Sequence, residues 1–299
     1  MKPVARQPRR RKAFTIVELL TVMSIIVILI GLLVPALNKV KQFATNVKQR
    51  AQFHSIEAAV ELFDVQFGGY PDSAYAAPGA TGTAAYCGAE KLAEAMVGRD
   101  LGGFHPDSIF RSDRTNGVNL TVSLYTPLTL AARPGPFLPL ENANVVPLGE
   151  IYKLFGSFDP CDFVLCDVYN RVTDIKTGRK VGMPVLYYKA NTSKQTHNLL
   201  KPDDPDNIYN WEDNAELLKL GMPFNPGRPP KLHSFAGDTT KGLPAEPAGK
   251  RFYWNIRNEK VSAISRPYRA DSYILISAGW DGEYGTADDI CNFDWRYRQ

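Results

Sequence analysis

The sequence predicts an α+β protein in which one long N-terminal helix packs on a C-terminal antiparallel sheet. Three observations lead to this fold class. An uncharged apolar run from Leu19 to Leu37 is long enough to cross a bilayer, which takes about 20 helical residues. Apolar residues then recur at three- and four-residue steps as far as Phe67, as on one face of a helix. Strand-like apolar runs are strongest in the second half of the chain.

The first element along the chain is a basic leader. Six of the 35 Lys and Arg residues precede Phe14, and no acidic residue does. Such a cluster stays on the cytoplasmic side of a membrane, so we expect a single-pass inner-membrane protein with everything after Lys39 outside the cytoplasm. Without these six cations the chain has 29 basic and 31 acidic residues, so no nucleic-acid partner is expected.

An acidic residue, Glu18, stands at the start of the apolar run. An unpartnered carboxylate inside a membrane costs about 2.5 to 3.5 kcal/mol on insertion scales. We expect its partner to be the α-ammonium that cleavage between Ala13 and Phe14 would create. Within one helix this amine is close but badly aimed, so the amine of an adjacent, axially shifted copy is the better partner.

The run Ala13-Phe14-Thr15-Ile16-Val17-Glu18 resembles the class III signal of type IV pilins and type II secretion pseudopilins. The resemblance implies a pilin-like fold, cleavage by prepilin peptidase between Ala13 and Phe14, and methylation of the new amine on Phe14. It also implies that Glu18 guides docking into a filament and that Pro35 marks a bend in the helix. Most family members have Gly before the cut, whereas this chain has Ala13, the next smallest residue.

Two simpler interpretations of the N-terminus remain open. An ordinary secretory signal has an apolar core of about 7 to 15 residues followed by a small-residue cleavage site, which residues 35–39 lack. A plain membrane anchor accounts for the apolar run but leaves Glu18 unexplained.

The predicted organisation is a leader over 1–13, a helix over 14–67 with its membrane-spanning part at 14–37, and an extracytoplasmic head over 68–299. Within the head, periodicity predicts helices at Gly88–Val97 and Glu212–Leu220 and strands at Phe163–Tyr169, Val185–Lys189 and Tyr273–Ser277.

Two long insertions have no counterpart in the family resemblance. They cover residues 72–148 and 192–250, and they are rich in Pro, Gly and polar residues. Residues 101–148 are predicted to form an elaborated loop with minor strands. The Pro-rich segments 226–230 and 244–247 mark the second insertion as surface.

The four cysteines are Cys87, Cys161, Cys166 and Cys291. Outside the cytoplasm disulfides are chemically permitted, and four cysteines allow three pairings. Cys161 and Cys166 are closest in sequence and could clip a short loop. There is no C-x-x-C and the four histidines stand apart, so no transition-metal site is expected.

An acidic loop from Ser277 to Ile290 follows the last predicted strand, with four carboxylates and three glycines. Carboxylate and carbonyl oxygens are the ligands that Ca²⁺ prefers, and the spacing is not that of an EF-hand. The loop is similar to the calcium loop of the major type II secretion pseudopilin. The resemblance implies side-chain ligands Asp281 and Asp288, a binding or orienting Asp289, carbonyl ligands Ala278 and Glu283, and a weaker candidate Thr286. The alternative is an ordinary Gly/Asp turn with solvated acids.

The sequence therefore favours a structural subunit of a pseudopilus, the pilus-like fibre of a type II secretion system. Its expected partners are further copies or other pilins in a mixed filament, prepilin peptidase, and the inner-membrane platform of the secretion system. No enzyme is expected, since G-x-S-x-G, H-E-x-x-H and P-loop motifs are absent. The alternative is a type IV or competence pilin that binds DNA or a surface through 251–257 and 295–298, where arginines adjoin aromatics.

Overall fold

The computed structural model describes residues 15–79, 83–173, 177–223, 231–237, 248–261 and 263–293. The chain divides into two compact units, residues 1–44 and 45–299. The predicted leader and Phe14 lie outside the described residues, so the boundaries proposed for leader, helix and head stay predictions.

The N-terminal helix α1 runs from Ile16 to Phe67 and continues through Pro35 without a break. It ends where the sequence predicts, at Gly68. The N–H of Gly68 donates to the carbonyl of Asp64 at 2.7 Å, and its φ of 73° is the left-handed conformation that glycine adopts at helix ends. The long predicted helix is thus confirmed from Ile16 onward.

Short elements follow α1. Helix α2 covers Gly88–Val97, with the bounds that periodicity predicts. Residues 101–148 are mostly irregular, and they contain a 3-10 turn at Pro127–Ala132, helix α3 at Leu140–Ala143 and strand β1 at Val145–Pro147. Helix α4 covers Leu148–Ile151.

The remaining strands are β2 (Phe163–Leu165), β3 (Val172–Thr173), β4 (Lys180–Val181), β5 (Leu186–Lys189), β6 (Tyr273–Ser277) and β7 (Ile290–Cys291). They pair antiparallel as β1-β2, β3-β4 and β5-β6-β7. In the central pair Leu186 lies opposite Ile276, and Lys189 lies opposite Tyr273. The predicted α+β fold with a late antiparallel sheet is confirmed.

The predicted strand at 163–169 is shorter than expected. It ends at Leu165 because the buried side chain of Asp167 accepts the backbone N–H of Tyr169, which turns the chain. Two further backbone bonds join this edge to the segment before β5: Val185 N–H donates to Leu165, and Asp167 N–H donates to Met183. Antiparallel pairing therefore continues from β1 to β7 through these links.

Both faces of the central sheet are buried. Alternate side chains of β6 point to opposite faces, so Tyr273 and Leu275 join one apolar cluster while Ile274 and Ile276 join another. The first cluster is shared with α1 and α2, through Phe53, Ile56, Val60, Phe63, Leu92 and Met96. Each fully buried side chain of this size contributes about 1.5 to 3 kcal/mol.

A polar ladder accompanies the apolar stripe of α1. Gln52 Nε2 donates to the carbonyl of Cys166 at 2.9 Å, and Gln49 Oε1 accepts the N–H of Val168 at 2.9 Å. Asn46 Oδ1 accepts the Tyr169 hydroxyl at 2.8 Å. Residues 46, 49 and 52 follow one another at about one helical turn, so they lie on one face of α1. This face provides hydrogen-bond partners for the segment 166–169 that follows β2.

The first insertion is joined to the core through its predicted helix α2. Every residue of α2 is buried, and Glu94 on this helix accepts hydrogen bonds from Tyr86, Ser108 and Tyr125 at 2.5 to 2.7 Å. These bonds tie residues 86–125 to the core.

The second insertion covers the other face of the sheet. Its apolar side chains pack on Ile274 and Ile276 and include Tyr209, Trp211, Leu217 and Phe235, joined by Phe252 of helix α6 (Lys250–Ile256). The helix predicted at 212–220 is a 3-10 turn at Trp211–Asn214 followed by α5 at Ala215–Lys219. The average composition of the second insertion is polar, so the sequence did not indicate that these apolar side chains belong to the core. Residues 226–230 and 244–247, the Pro-rich parts of the prediction, lie outside the described residues.

Candidate functional site

The first turn of α1 holds Glu18. The backbone N–H and the hydroxyl of Thr15 donate to Glu18 Oε2 at 2.9 and 2.8 Å, and Glu18 N–H donates back to Thr15 Oγ1 at 3.2 Å. This reciprocal arrangement is a capping box, which satisfies amides that a helix start leaves free. The pattern Thr-x-x-Glu is readable in the sequence, and the sequence prediction missed it.

The capping box corrects the statement that a plain membrane anchor leaves Glu18 unexplained. Two donors from its own helix already bind one carboxylate oxygen, so a plain anchor would also account for an acid here. Oε1 of Glu18 accepts no hydrogen bond from the described residues. That oxygen is the one that an amine from a neighbouring chain could reach. Ala13 and Phe14, the predicted cleavage residues, lie outside the described residues.

Helix α1 is long and apolar enough to cross a membrane. An 18-residue window within it has a mean hydropathy of 2.8, and none of that window is buried within the protein. Large apolar side chains such as Ile16, Leu32 and Val27 are exposed. One apolar N-terminal helix of this kind could anchor the chain in a membrane, as in pilins.

The acidic loop after β6 is closed by its own side chains. Asp288 Oδ2 accepts the N–H of Asp281 at 2.9 Å, and Asp281 Oδ1 accepts the N–H of Glu283 at 2.8 Å. Asp289 Oδ2 accepts the N–H of Gly285 at 2.8 Å. The loop therefore folds back so that Asp281 and Asp288 lie close together.

Glycine is required at the start of this loop. Gly279 has a φ of 65°, and a Cβ there would lie 2.3 Å from the carbonyl oxygen of Asp288. No side chain can be accommodated at that distance, so Gly279 permits the close approach of the two ends of the loop.

The charged forms of Asp281 and Asp289 are disfavoured in this loop. Burial, together with the nearby charge of Asp288, raises the pKa of Asp281 to about 6. Burial, followed by the same neighbour, raises the pKa of the Asp289 carboxyl well above its usual range. Among the described residues no cationic side chain forms an ion pair with any of the three.

Glu283 is used differently from its predicted role. Its carboxylate binds Lys231 Nζ and Ser234 Oγ, each at 2.5 Å, and its carbonyl accepts the hydroxyl of Thr286 at 3.2 Å. The segment that carries Lys231 and Ser234 comes from the second insertion. The insertion thus clamps the middle of the acidic loop, which the sequence did not indicate.

The donor types of this loop suit a hard cation, because carboxylates and carbonyls are all oxygen ligands. Their present arrangement serves the loop itself, since Asp281, Asp288 and Asp289 each bind a backbone N–H. Within the part of the chain that the structure describes, no three His, Cys, Asp or Glu side chains are grouped so that they could hold a metal ion. Ala278 is fully buried beneath the loop.

All four cysteines are free. Cys161 is exposed, whereas Cys166 is buried in the core beside Val164 and Met183. The suggested Cys161–Cys166 clip is therefore not formed. The turn that leads into Cys161 is closed by a hydrogen bond from Cys161 N–H to Asp159 Oδ1 at 2.9 Å.

A buried carboxyl that the sequence prediction missed supports the acidic loop. Asp167 accepts the hydroxyl of Ser277 at 3.0 Å and the N–H groups of Tyr169 and Met183 at 3.2 and 3.1 Å. Burial raises its pKa to about 7, which these hydrogen bonds partly oppose. Ser277 is the residue at which β6 ends, so Asp167 fixes the base of the loop. No sequence signal distinguishes this Asp from a surface one.

The aromatic segment 251–257 is mostly a helix and not an exposed basic strip. Residues 250–256 form α6, where Phe252 and Tyr253 are fully buried and Trp254 is 38% exposed. Aromatics in the core cannot stack on bases, so this segment does not favour the DNA-binding alternative. Residues 295–298, the other half of that alternative, lie outside the described residues.

Comparison with known families bears on the N-terminus. Residues 8–34 match the family model described as the prokaryotic N-terminal methylation motif. The match spans the predicted cleavage position, Glu18 and most of the apolar run. This motif is typical of the type IV pilin and pseudopilin family, whose members are processed by prepilin peptidase and assemble into filaments as structural subunits. No curated protein and no solved structure matches the chain.

Proposed function

We propose that this chain is a structural subunit of the pseudopilus of a type II secretion system. Prepilin peptidase cuts between Ala13 and Phe14 and methylates Phe14, and the mature chain leaves the inner membrane by joining a fibre through α1. The head remains extracytoplasmic, and the chain carries out no catalysis.

The family match over residues 8–34 supports this proposal most directly, because it joins a cleavage signal to the helix that would polymerise. Apolar side chains of α1 before Leu37 are exposed, so they require either lipid or other helices around them. The acidic loop supports a type II secretion pseudopilin over other pilins, since its Ser-x-Gly-x-Asp-Gly start resembles the calcium loop of the major pseudopilin.

Assembly tests the proposal. The full chain is produced with a prepilin peptidase and a type II secretion platform, and sheared surface fibres are quantified. Glu18→Ala should be cleaved normally but give few fibres, whereas Ser24→Ala, on the same apolar run, should assemble like the wild type. Equal fibre yields from Glu18→Ala, or a wild-type chain that never leaves the membrane as a multimer, would contradict the proposal.

Calcium binding at the acidic loop is a further part of the proposal. A bound cation would relieve the repulsion among Asp281, Asp288 and Asp289. No cationic side chain among the described residues forms an ion pair with any of them. The oxygens that now bind loop amides would have to turn toward the ion, so binding should order and stabilise the loop.

Thermal unfolding tests this part. Ca²⁺ should raise the Tm of the detergent-solubilised full chain relative to a chelator, and Asp281→Asn should remove that shift. Asp107→Asn, an exposed acid elsewhere in the head, is the matched control and should keep it. A wild-type Tm that is the same with Ca²⁺ and with chelator rules out the site.

A further inference from the structure

One side of α1 carries a groove within the unit 45–299. It is a cleft of about 500 Å³ between α1, the segment 140–145 and residues 168, 170 and 179. We call it the Lys48 groove, and its lining includes Lys48, Gln52, Leu140, Val145, Val168 and Arg179. Leu140 is 46% exposed there, so the groove presents apolar surface to solvent.

The charges at the Lys48 groove are mainly positive and unused. Lys48 and Arg179 are exposed, and among the described residues neither forms an ion pair. Among the described residues that line the cleft, Glu141 is the one acidic side chain. Gln52 is 7% exposed, and its Oε1 has no hydrogen-bond partner among the described residues. The groove is thus a partly apolar surface with two free cations at its rim.

A complementary surface lies farther along the same helix. Leu62 and Val65 are 58% and 83% exposed on α1, beside the exposed carboxylate of Glu61. We call these three residues the Leu62 ridge. Glu61 makes only long hydrogen bonds, at 3.3 and 3.5 Å from the Tyr70 hydroxyl. The ridge is apolar and acidic where the groove is apolar and basic.

The two surfaces are distinct patches at different heights on one helix. Lys48 and Leu62 are separated by about four helical turns, or about 20 Å along the axis of α1. Glu61 and Val65 point about 100 to 140° away from Lys48 around the helix, so a copy that is both displaced along the axis and rotated about it can present its groove to the ridge. A contact between different patches of two identical chains is heterologous, and when it does not close into a ring it generates an open fibre.

We propose that the Leu62 ridge of one copy of this chain docks in the Lys48 groove of a second copy, which is displaced along the helix axis. The contact rests on the proposed fibre function and names the surfaces through which heads of neighbouring subunits meet. Glu61 meets the rim cations, and Leu62 and Val65 cover the apolar wall at Leu140 and Val168. Opposite charges across such an interface fix its register.

Site-directed cross-linking tests the contact. Full-length chains carrying Cys161→Ser, to remove the exposed native thiol, are co-produced as two tagged forms, one with Lys48→Cys and one with Leu62→Cys. Oxidation of the fibres should yield a heterodimer that carries both tags. Arg50→Cys replaces Lys48→Cys as the matched control, because Arg50 is an exposed cation on the same helix that does not line the groove. It should give no heterodimer.

Charge reversal gives an independent readout. Lys48→Glu and Glu61→Lys should each lower fibre yield about tenfold, and the double variant should restore most of it, whereas Arg50→Glu should leave the yield unchanged.

The outcomes separate the two proposals. Fibres of the Lys48→Cys and Leu62→Cys forms that give no heterodimer, or single reversals that assemble normally, overturn the docking contact and leave the fibre function standing. A cleaved wild-type chain that forms no fibres overturns the fibre function itself. A heterodimer formed equally with Arg50→Cys means random collision and also overturns the contact.

Discussion

The hydroxyl and the backbone N–H of Thr15 both donate to one carboxylate oxygen of Glu18, at 2.8 and 2.9 Å. The helix that is predicted to enter the membrane therefore begins with an acid whose orientation is fixed by its own first turn. One oxygen is used within the helix and the other is left for a partner. A carboxylate held in this way costs less to place at the membrane edge than a free one, and it points in a defined direction.

Removing the Thr15 hydroxyl should impair assembly. Thr15→Val keeps the size of the side chain but removes the hydroxyl, which donates to the Glu18 carboxylate and accepts the N–H of Glu18. Loss of such a cap costs about 1 kcal/mol. We expect fibre yield to fall about fivefold, with cleavage unchanged in an immunoblot.

Two variants complete this test. Thr15→Ser keeps the hydroxyl and should assemble normally. Thr21→Val removes a hydroxyl that bonds only to the backbone carbonyl of Glu18, at 3.0 Å, and should also assemble normally. Equal yields from Thr15→Val and Thr15→Ser would mean that the capping box does not position Glu18.

The buried amide of Gln49 should stabilise the docking of α1. Gln49→Leu leaves the N–H of Val168 without its acceptor, and a buried donor without a partner costs about 1 to 3 kcal/mol. We expect a lower Tm for the detergent-solubilised chain, by about 2 to 4 °C per kcal/mol. Gln66→Leu, on the exposed side of the same helix, should leave the Tm unchanged. A Tm for Gln49→Leu that matches this control would contradict the role of the ladder.

Asp167 should make stability fall as pH rises. Its pKa is about 7 in the folded chain against a usual 3.8, so between those values the unfolded chain loses its proton while the folded chain keeps it. The stabilisation is complete below about pH 4 and is lost as pH rises through 7, by up to about 4 kcal/mol.

Asp167→Asn stays neutral and can still accept the two N–H groups while donating to Ser277. Its Tm should match the wild type near pH 4 and exceed it increasingly toward pH 8 in a thermal unfolding series. Asp107→Asn should follow the wild-type curve. Parallel curves for Asp167→Asn and wild type would show that Asp167 is charged throughout.

The thiols should react in two classes. Cys161 is exposed, whereas Cys87, Cys166 and Cys291 are buried, and burial raises the pKa of these three well above the usual value for a thiol. A thiol reagent should therefore label Cys161 alone in the native chain and all four cysteines after denaturation without reductant. Labelling of only two cysteines in the denatured chain would reveal a disulfide.

Local patterns in the sequence predicted much of the fold. The helix α1 and the strands β5 and β6 carry strong periodicity or continuous apolar runs, and α2 is bounded by Cys87 and Gly98, so their positions follow from residues close in the chain. The early end of β2 did not follow, because it depends on the burial of Asp167 against residues 183 and 277, which are distant in sequence.

The insertions show the same limit. Tyr209, Trp211 and Phe235 are spread through a polar segment, and only the fold brings them together on one face of the sheet. In the acidic loop the sequence predicted Asp281, Asp288 and Asp289 as calcium ligands, which stays a prediction. It missed the binding of Glu283 by Lys231 and Ser234, because nothing near the loop indicates which distant segment covers it.

The N-terminus of the chain purified from its native membrane tests the central claim most directly. Intact mass and N-terminal sequencing should show a mature chain that begins at Phe14 and carries one methyl group on its amine. A chain that retains its first thirteen residues would contradict the account, since Glu18 could then meet no new terminus on a neighbour and α1 would serve only as an anchor.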